Sequence, residues 1–245
     1  MRNISASDFF DLPESLNAFS PFFPSDVEPW NWIANIEKAL ITYGNCNRPG
    51  IKCNFFQKIR RNFFTDELIR IGKNVHIEKN VKLPVTCTIE DNVYVGEGTE
   101  IRSGALIRKN VIIGKNCIIG NACEIKNALI MDNVQIAHLN YVGDSILGSF
   151  SHLSGGALLS NLRFDERVIS VKMEKQKVLT GLRKFGAILG ERAQIGCNSV
   201  LLPGTLLGKN SLVSVGTVFG GFLEENKAVH IRRIINGNNI MQKTP

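Results

Sequence analysis

The sequence predicts an all-β solenoid, because an aliphatic residue returns at every sixth position over two long stretches. The first stretch holds ten such positions from Ile71 to Ile125, and the second holds six from Leu189 to Phe219. A small or β-branched residue usually stands four places further on, as Val75 does after Ile71. A period of six fits neither the 3.6 of an α-helix nor the alternation of a single strand, so it indicates a supersecondary repeat.

Each repeat is expected to supply one short strand and one turn, with its aliphatic residue pointing inward. The pieces Gly-Lys-Asn and Glu-Asp-Asn between the aliphatic positions favour tight or left-handed backbone. Three repeats would close one triangular coil of 18 residues, so that like residues stack from coil to coil.

The repeat is irregular in its middle. Its register slips by one residue after Ile125, which moves the aliphatic positions to Ile130, Ile136 and Val142, and it slips again near residues 146–147. A five-residue step implies a tightened corner, and irregularities of this kind often mark functional sites.

Composition bounds the kind of protein. A chain of 245 residues with 44% hydrophobic residues can bury a core for one or two domains. The net charge of +7 is spread along the predicted turns, which favours small phosphate-bearing ligands over nucleic acid. With no signal peptide and no apolar run of membrane-spanning length, we expect a cytoplasmic protein without a membrane partner. The six cysteines include no C-x-x-C pair and are expected to be reduced.

Residues 1–70 lack the repeat and are predicted to form a mainly helical cap. Apolar residues at helical spacing between Trp30 and Leu40 indicate a helix that packs in a core, with an exposed ligand platform as the alternative. A solenoid end leaves strand edges unpaired, so we expect this segment to cover the first coil. The basic and aromatic stretch from Phe55 to Phe64 is interpreted as part of the same packing, with a nucleic-acid patch as the alternative.

The solenoid is expected over residues 71–220, followed by a tail over residues 221–245. The stretch 159–188 is too long for a turn of the repeat, and we predict a protruding loop there. Its β-prone segments on either side of Glu174-Lys175-Gln176 indicate a hairpin.

Three motifs carry a resemblance to a known family: H138-L-N-Y-V-G-D144, Gly155-Gly156 and N161-L-R-F-D-E166. They resemble the acetyltransferase half of bifunctional glucosamine-1-phosphate acetyltransferase/uridyltransferases, and most closely the archaeal-type sugar-1-phosphate nucleotidyltransferases with the same β-helix. The resemblance covers roughly residues 71–235. It implies a left-handed parallel β-helix, a homotrimer with its sites between subunits, and acetyl-CoA as co-substrate.

The resemblance also implies roles for individual residues. His138 would be the general base that takes a proton from the amine of an amino-sugar phosphate, and Glu124 would support that base. The expected substrate-binding residues are Arg102 or Arg108, Lys126, Tyr141, Asn161 and Arg167. The expected coenzyme groove consists of Gly155, Gly156, Cys197, Val215, Gly216 and Arg232. Attack on a thioester needs such a set: a base, donors at the developing oxyanion, and cations for the phosphates.

The chain departs from the family pattern at three positions. His152 stands where the family has an asparagine, Gly155 where it has an alanine, and Arg167 where it has a lysine. Asp144, beside Gly143, is interpreted as a turn former and not as a catalytic acid. The phosphate loop of the family's nucleotidyltransferase domain has no counterpart, so we expect no uridylyl transfer.

Two other functions fit parts of the sequence. A non-catalytic trimeric module would keep a site for a sugar phosphate or nucleotide sugar and lack transfer. A metal-dependent hydratase would need three histidines at one metal, and the four histidines lack the pattern of γ-class carbonic anhydrases. We therefore expect no metal, and an acetyl-CoA-dependent N-acetyltransferase that serves nucleotide-sugar and cell-envelope synthesis.

Overall fold

The computed structural model describes residues 4–45, 61–62, 65–68, 70–173, 176–230, 232–236 and 239–243, with side chains over 4–45, 71–173 and 177–230. Two 3₁₀ helices, Ala6–Asp8 and Glu14–Phe22, precede the α-helix α1 at Asn31–Asn45. The strands are β1 Arg61–Asn62, β2 Thr65–Leu68, β3 Arg70–Ile71, β4 Val75–Ile77, β5 Thr88–Ile89, β6 Val93–Val95, β7 Glu100–Ile101, β8 Leu106–Ile107, β9 Val111–Ile113, β10 Ile118–Asn121, β11 Glu124–Ile130, β12 Gln135–His138, β13 Tyr141–Leu147, β14 His152–Leu153, β15 Leu158–Leu159, β16 Ser170–Met173, β17 Gln176–Leu179, β18 Ala187–Leu189, β19 Gln194–Ile195, β20 Val200–Leu201, β21 Thr205–Leu207, β22 Leu212–Val213, β23 Val218–Phe219, β24 Phe222–Leu223, β25 Ala228–Val229, β26 Arg232–Asn236 and β27 Asn239–Lys243.

The repeat folds into a parallel β-solenoid with three faces, which confirms the predicted architecture. The first face is made of β3, β5, β8, β11, β13, β15, β20 and β23, stacked in parallel. The second is made of β4, β6, β9, the later halves of β11 and β13, and then β18, β21 and β24. The third is made of β7, β10, β12, β14, β19, β22 and β25.

The aliphatic positions of the repeat form the interior. Ile107, Ile125 and Val142 are fully buried on the first face, and each pairs with its neighbour one coil away. Most corners contain a residue with positive φ, and asparagine is the most frequent one because its short polar side chain tolerates left-handed backbone, as Asn92 does at φ 58.

The five-residue steps fall at the corner between the first and second faces. Ile107 pairs with Ile125, 18 residues on, whereas Ile125 pairs with Val142, only 17 residues on. The strands β11 and β13 therefore run through this corner without a break, with Asn127 at φ 44 in the first of them. The predicted slips are real, and both lie at one corner in successive coils.

Residues 4–45 of the N-terminal segment are helical, as predicted, and lie along the second face, where α1 contacts the first coil at Asn74 and His76. The aromatic residues of the segment lie along the second face, from Phe19 against Tyr94 in β6 to Phe9 against Phe222 in β24, at ring distances of 5.2 and 6.1 Å. The outward residues of this face are apolar and buried under that segment: Ile112, Leu129, Ile146, Ile188 and Leu206. Burial of this wide apolar surface is the physical reason why residues 4–45 pack along the side of the prism.

The end of the solenoid and the packing of the hairpin both differ from expectation. The solenoid continues past residue 220, since β24 and β25 pair in parallel with the preceding coil. The hairpin β16–β17 forms as predicted, but its base does not protrude: Ile169 and Val171 are buried and pack beside Gly204 and the later coils. The side chains of residues 55–64, on which we placed a basic and aromatic packing stretch, lie outside the described residues.

No helix in the described ranges combines the length and apolar character needed to cross a bilayer.

Candidate active site

Most of the predicted site residues lie on the first face and the corners that border it. One border is the corner between the third and first faces, called here the His138 corner, where the stacked residues are Asn121, His138, Gly155, Cys197 and Val215. The other border is the corner of the five-residue steps. The first face between them carries outward side chains from β8, β11 and β13.

His138 ends β12 and its side chain is exposed at the corner. The next residue, Leu139, adopts φ 55 and is 63% exposed, although this conformation is unfavourable for a leucine. Backbone held in this way is frequently found beside functional groups. Among the described side chains, none forms a hydrogen bond with the His138 imidazole.

Gly155 lies directly against the His138 imidazole. A β-carbon built at Gly155 would be 2.5 Å from Nε2 of His138, so the absence of a side chain creates the space in which the ring lies. The Gly155 carbonyl accepts a bond from Asn198, and no backbone acceptor for the Gly155 N–H is found among the described residues. A backbone donor next to an exposed imidazole is the arrangement that acyl transfer requires.

Three charged residues stand together on the first face. Arg108 donates to Glu124 at 2.8 Å, and Lys126 lies on the same outward row as Arg108, one coil on. This bond raises the pKa of the Arg108 guanidinium, with the charge of Glu124 as a further contribution. Glu124 is thus held by Arg108, and its side chain forms no hydrogen bond or ion pair with the His138 side chain.

Tyr141 and Asn161 complete the face. Tyr141 pairs with Glu124 across β11 and β13 and is half-buried. Its pKa is raised by burial first and by the negative charges of Asp144 and Glu124, while a hydrogen bond from Asn161 acts in the opposite direction. A β-carbon on Gly143 would collide with both the Tyr141 hydroxyl and the Asn161 amide, which shows how closely these two groups approach.

Arg102, the alternative to Arg108, lies elsewhere. It follows β7 on the third face and is bound to Glu100 at 2.8 Å. There it lines a cleft with Lys82, Glu100 and Asn121. The structure therefore groups Arg108, and not Arg102, with Lys126 and Tyr141.

The remaining family departures are spread out. His152 begins β14 and points outward from the third face between Gln135 and Gln194, at the opposite edge of that face from the His138 corner. Arg167 is exposed in the excursion that leaves the solenoid after Asn161. Close by, Asp165 takes two bonds from Arg163, which lower the pKa of that carboxyl.

The expected coenzyme residues stack above His138. Cys197 and Val215 follow Gly155 up the His138 corner, and the Gly216 N–H donates to the Cys197 carbonyl at 2.8 Å. Both side chains are exposed, Val215 to 68%. The Arg232 side chain lies outside the described residues.

An apolar stripe on the same face was missed in the sequence. Above Tyr141, the outward residues of the first face are Leu158, Leu202 and Val218, all exposed. The face is thus polar in its early coils and apolar in its late ones. Apolar letters at outward positions of the repeat, such as Leu158 before the inward Leu159, were the available signal.

Within the described residues, no three histidine, cysteine or acidic side chains are placed so that they could hold a metal ion.

Comparison with known proteins agrees with the fold. The family model described as the EIF2B subunit epsilon LbH domain, a left-handed β-helix, matches residues 72–177. A bifunctional protein GlmU of Methanococcus maripaludis is 35% identical over 102 residues, which are 42% of this chain and 25% of the relative. A bifunctional sugar-1-phosphate nucleotidylyltransferase/acetyltransferase of Sulfurisphaera tokodaii is 37% identical over 90 residues, which are 37% of this chain and 22% of the relative. The matched region thus spans about a quarter of the length of these relatives.

Solved structures resemble the chain more loosely. The UDP-N-acetylglucosamine acyltransferase of Francisella novicida is 21% identical with a TM-score of 0.40, covering 61% of this chain and 54% of that one. AntD, an N-acyltransferase from Bacillus cereus in complex with dTDP and 3-hydroxybutyryl-CoA, is 15% identical with a TM-score of 0.35, covering 71% and 81%. Superpositions this loose do not bear on the site.

The solenoid is a parallel β-helix that matches the left-handed β-helix family model over residues 72–177 and is similar there to the β-helical part of these bifunctional relatives.

The described cysteines should differ sharply in reactivity. Burial raises the pKa of the Cys87 thiol to about 11 and that of Cys117 to about 12, so both stay protonated at pH 8, whereas Cys197 is exposed at the His138 corner. Because the thiolate is the reactive form, iodoacetamide at pH 8 should label Cys197 well before Cys87 and Cys117. Peptide mapping by mass spectrometry measures the order. Equal labelling of Cys117 and Cys197 in the folded protein would contradict the burial.

Proposed function

We propose that this protein is an acetyl-CoA-dependent N-acetyltransferase that acts on glucosamine 1-phosphate or a related amino-sugar phosphate. The observation that carries the proposal is the His138 imidazole over Gly155, beside a face that bears Arg108, Lys126 and Tyr141. The motif resemblance supports it, as does the similarity to a relative named as a bifunctional sugar-1-phosphate nucleotidylyltransferase/acetyltransferase.

In the proposed reaction, the acceptor amine attacks the thioester carbonyl of acetyl-CoA. The nitrogen–carbon bond forms as His138 takes the proton from the amine, and the Gly155 N–H donates to the developing oxyanion. The carbon–sulfur bond then breaks, and the proton is passed to the CoA thiolate. Arg108 and Lys126 would bind the sugar phosphate, since cations on one row can contact several phosphate oxygens.

The coenzyme would lie along the His138 corner and the late coils. Cys197, Val215 and Gly216 stack above His138, and the exposed Leu158 and Val218 offer an apolar surface for pantetheine. This assignment accounts for the division of the first face into a polar early part and an apolar late part.

We also propose a homotrimer. The second face is covered by the N-terminal segment, which leaves the first and third faces for contact with another copy as far as the described residues go. These are the two faces that meet at the His138 corner, and a head-to-tail contact between them closes as a ring. Light scattering at micromolar concentration should give three times the mass of the chain; a monomer would contradict a site shared between copies.

One observation favours a second candidate, a non-catalytic sugar-phosphate-binding module. The matching family model is named for a subunit of an assembly and not for a transferase. Measuring thiol release from acetyl-CoA across a panel of amino-sugar phosphates separates the two functions. Release with glucosamine 1-phosphate supports the transferase, whereas binding of the sugar phosphate without thiol release supports the module.

The phosphate role can be tested with two arginines in matched settings. Arg108 and Arg102 are both on the surface, and each is bound to a glutamate at 2.8 Å, but only Arg108 shares the face of Lys126 and Tyr141. Arg108→Ala should raise the KM for glucosamine 1-phosphate roughly tenfold, as expected for loss of a charge-assisted hydrogen bond, without changing the KM for acetyl-CoA. Arg102→Ala should change neither. A larger effect from Arg102→Ala would reverse the assignment.

A further inference from the structure

A column of polar side chains climbs the corner between the first and second faces. It consists of Asn74, Asn92, Asn110, Asn127, Asp144 and Asn161, and is called here the asparagine ladder. In its lower part each amide donates upward: Asn74 Nδ2 to Asn92 Oδ1 at 2.9 Å, and Asn92 Nδ2 to Asn110 Oδ1 at 3.2 Å. The direction of donation is therefore the same from coil to coil.

Asp144 reverses this direction. Asn127 Nδ2 donates upward to Asp144 Oδ1 at 2.8 Å, and Asn161 Nδ2 donates downward to Asp144 Oδ2. The carboxylate is 5% exposed and has no proton to give, so both neighbouring amides must donate to it. The orientation of the Asn161 amide thus follows from the chemistry of position 144.

Asp144 also fixes the chain at both ends of the long excursion. Its side chain binds Asn161, where the excursion leaves the solenoid, and its carbonyl accepts from the Gly186 N–H at 2.9 Å, where the chain returns. The Phe185 N–H donates to the Asn161 carbonyl at 2.9 Å, which closes the same junction. The side chain of Asn161 is consequently held against a rigid corner.

Both proton-bearing sides of the Asn161 amide have acceptors within the protein. One proton is donated to Asp144, and the amide nitrogen lies near the Tyr141 hydroxyl, whose oxygen can accept the other. Among the described residues, Asn161 Oδ1 has no hydrogen-bond donor, and Asn161 is partly exposed beside the charged face. The atom offered to a ligand is therefore an acceptor.

We propose that Asp144 is a positioning residue that presents Asn161 Oδ1 to a hydrogen-bond donor of the acceptor sugar, a hydroxyl or the amine. This inference rests on the proposed function, since it assigns the acceptor to the first face. It assigns Asp144 a role beyond that of a turn former.

The test removes the carboxylate from position 144 and then, in a double variant, introduces one at position 127 of the asparagine ladder. In Asp144→Asn, the new amide can point either way, so Asn161 is no longer forced to keep Oδ1 outward. We expect the KM for glucosamine 1-phosphate to rise about three- to tenfold, the value of one neutral hydrogen bond, with the KM for acetyl-CoA unchanged. In Asn127→Asp/Asp144→Asn, the carboxylate at position 127 draws the donor of position 144 downward. A carbonyl then faces Asn161 again, and the acceptor KM should return to within about twofold of wild type.

The control is Asn92→Asp, the same isosteric exchange lower in the ladder. It should leave both KM values unchanged, although its melting temperature can fall. An acceptor KM that is unchanged in Asp144→Asn would overturn the inference, as would a double variant no better than the single one.

A second readout separates this inference from the proposed function. By NMR, the side-chain amide protons of Asn161 should be protected from exchange in the wild type and less protected in Asp144→Asn, whether or not transfer occurs. Equal protection would overturn the positioning role. A wild-type protein that releases no thiol from acetyl-CoA, yet shows the difference in protection, would overturn the transferase and retain the fixed orientation of Asn161.

Discussion

His138→Ala is expected to lower turnover by roughly 10²–10⁴-fold, the usual contribution of a positioned general base. The KM for acetyl-CoA should change little, because the coenzyme is assigned to the later coils. The imidazole is exposed at a corner and lies over Gly155. It forms no hydrogen bond with any side chain in the part of the protein that the structure describes, so its removal should not weaken the fold. Steady-state rates with glucosamine 1-phosphate, together with a melting curve, measure both parts.

His152→Ala is the control for that experiment. His152 points out from the opposite edge of the third face, so its removal should cost much less. Turnover within about threefold of wild type for His138→Ala would exclude His138 as the base. A large loss from His152→Ala alone would transfer the role to His152.

Trp32→Ala should destabilise the protein by about 3–5 kcal/mol, the typical cost of removing a large buried aromatic side chain. Trp32 is 1% exposed, its indole donates to the Pro24 carbonyl at 2.8 Å, and its ring lies 5.2 Å from both Phe10 and Phe23. The substitution would leave a cavity in the layer that covers the second face and an acceptor without its donor. Urea unfolding followed by circular dichroism measures the change in free energy.

Ile41→Ala, on the same helix, is the matched control. Ile41 is 45% exposed, so its truncation should change the free energy of unfolding by no more than about 0.5 kcal/mol. A loss below about 1 kcal/mol for Trp32→Ala would show that the N-terminal segment and the solenoid do not unfold as one unit.

The proposed coenzyme corner and the proposed phosphate-binding face depend on different residues. The first depends on glycine and small residues that stack above His138, and the second on charges from successive coils. A variant such as Arg108→Ala should therefore affect only the acceptor, and labelling of Cys197 should respond only to the coenzyme. Each measurement tests one half of the site without the other.

The sequence by itself determined the solenoid, its inward residues and the place of its irregularity. A period of six leaves only one regular way to bury Ile107, Ile125 and Val142 together, so the coil follows from local pattern. The segment around His138 was also visible, because its motif lies between the two slips and resembles a known family.

The position of the N-terminal segment depends on tertiary packing, although the sequence contained a signal that the second face is covered. Runs such as V93-Y-V95, V111-I-I113 and A128-L-I130 are apolar at the outward position as well, whereas E124-I-K126 is polar on both sides of its inward residue. A strand that is apolar on both sides is covered on both sides. What covers it is decided by long-range packing, which no local pattern encodes.

The positions of Arg102 and Arg108 relative to Tyr141 and the contacts of Asp144 were likewise visible only in three dimensions. Each arginine directly follows an inward isoleucine of the repeat, Ile101 or Ile107. Only the folded coil shows that Arg108 lies on the face of Tyr141 and Arg102 on the third face. Asp144 reads as a turn residue in the sequence, since its partners Asn127 and Asn161 lie 17 residues away on either side. Stacking of coils converts that separation into contact, because each coil places residues about one turn apart at the same corner.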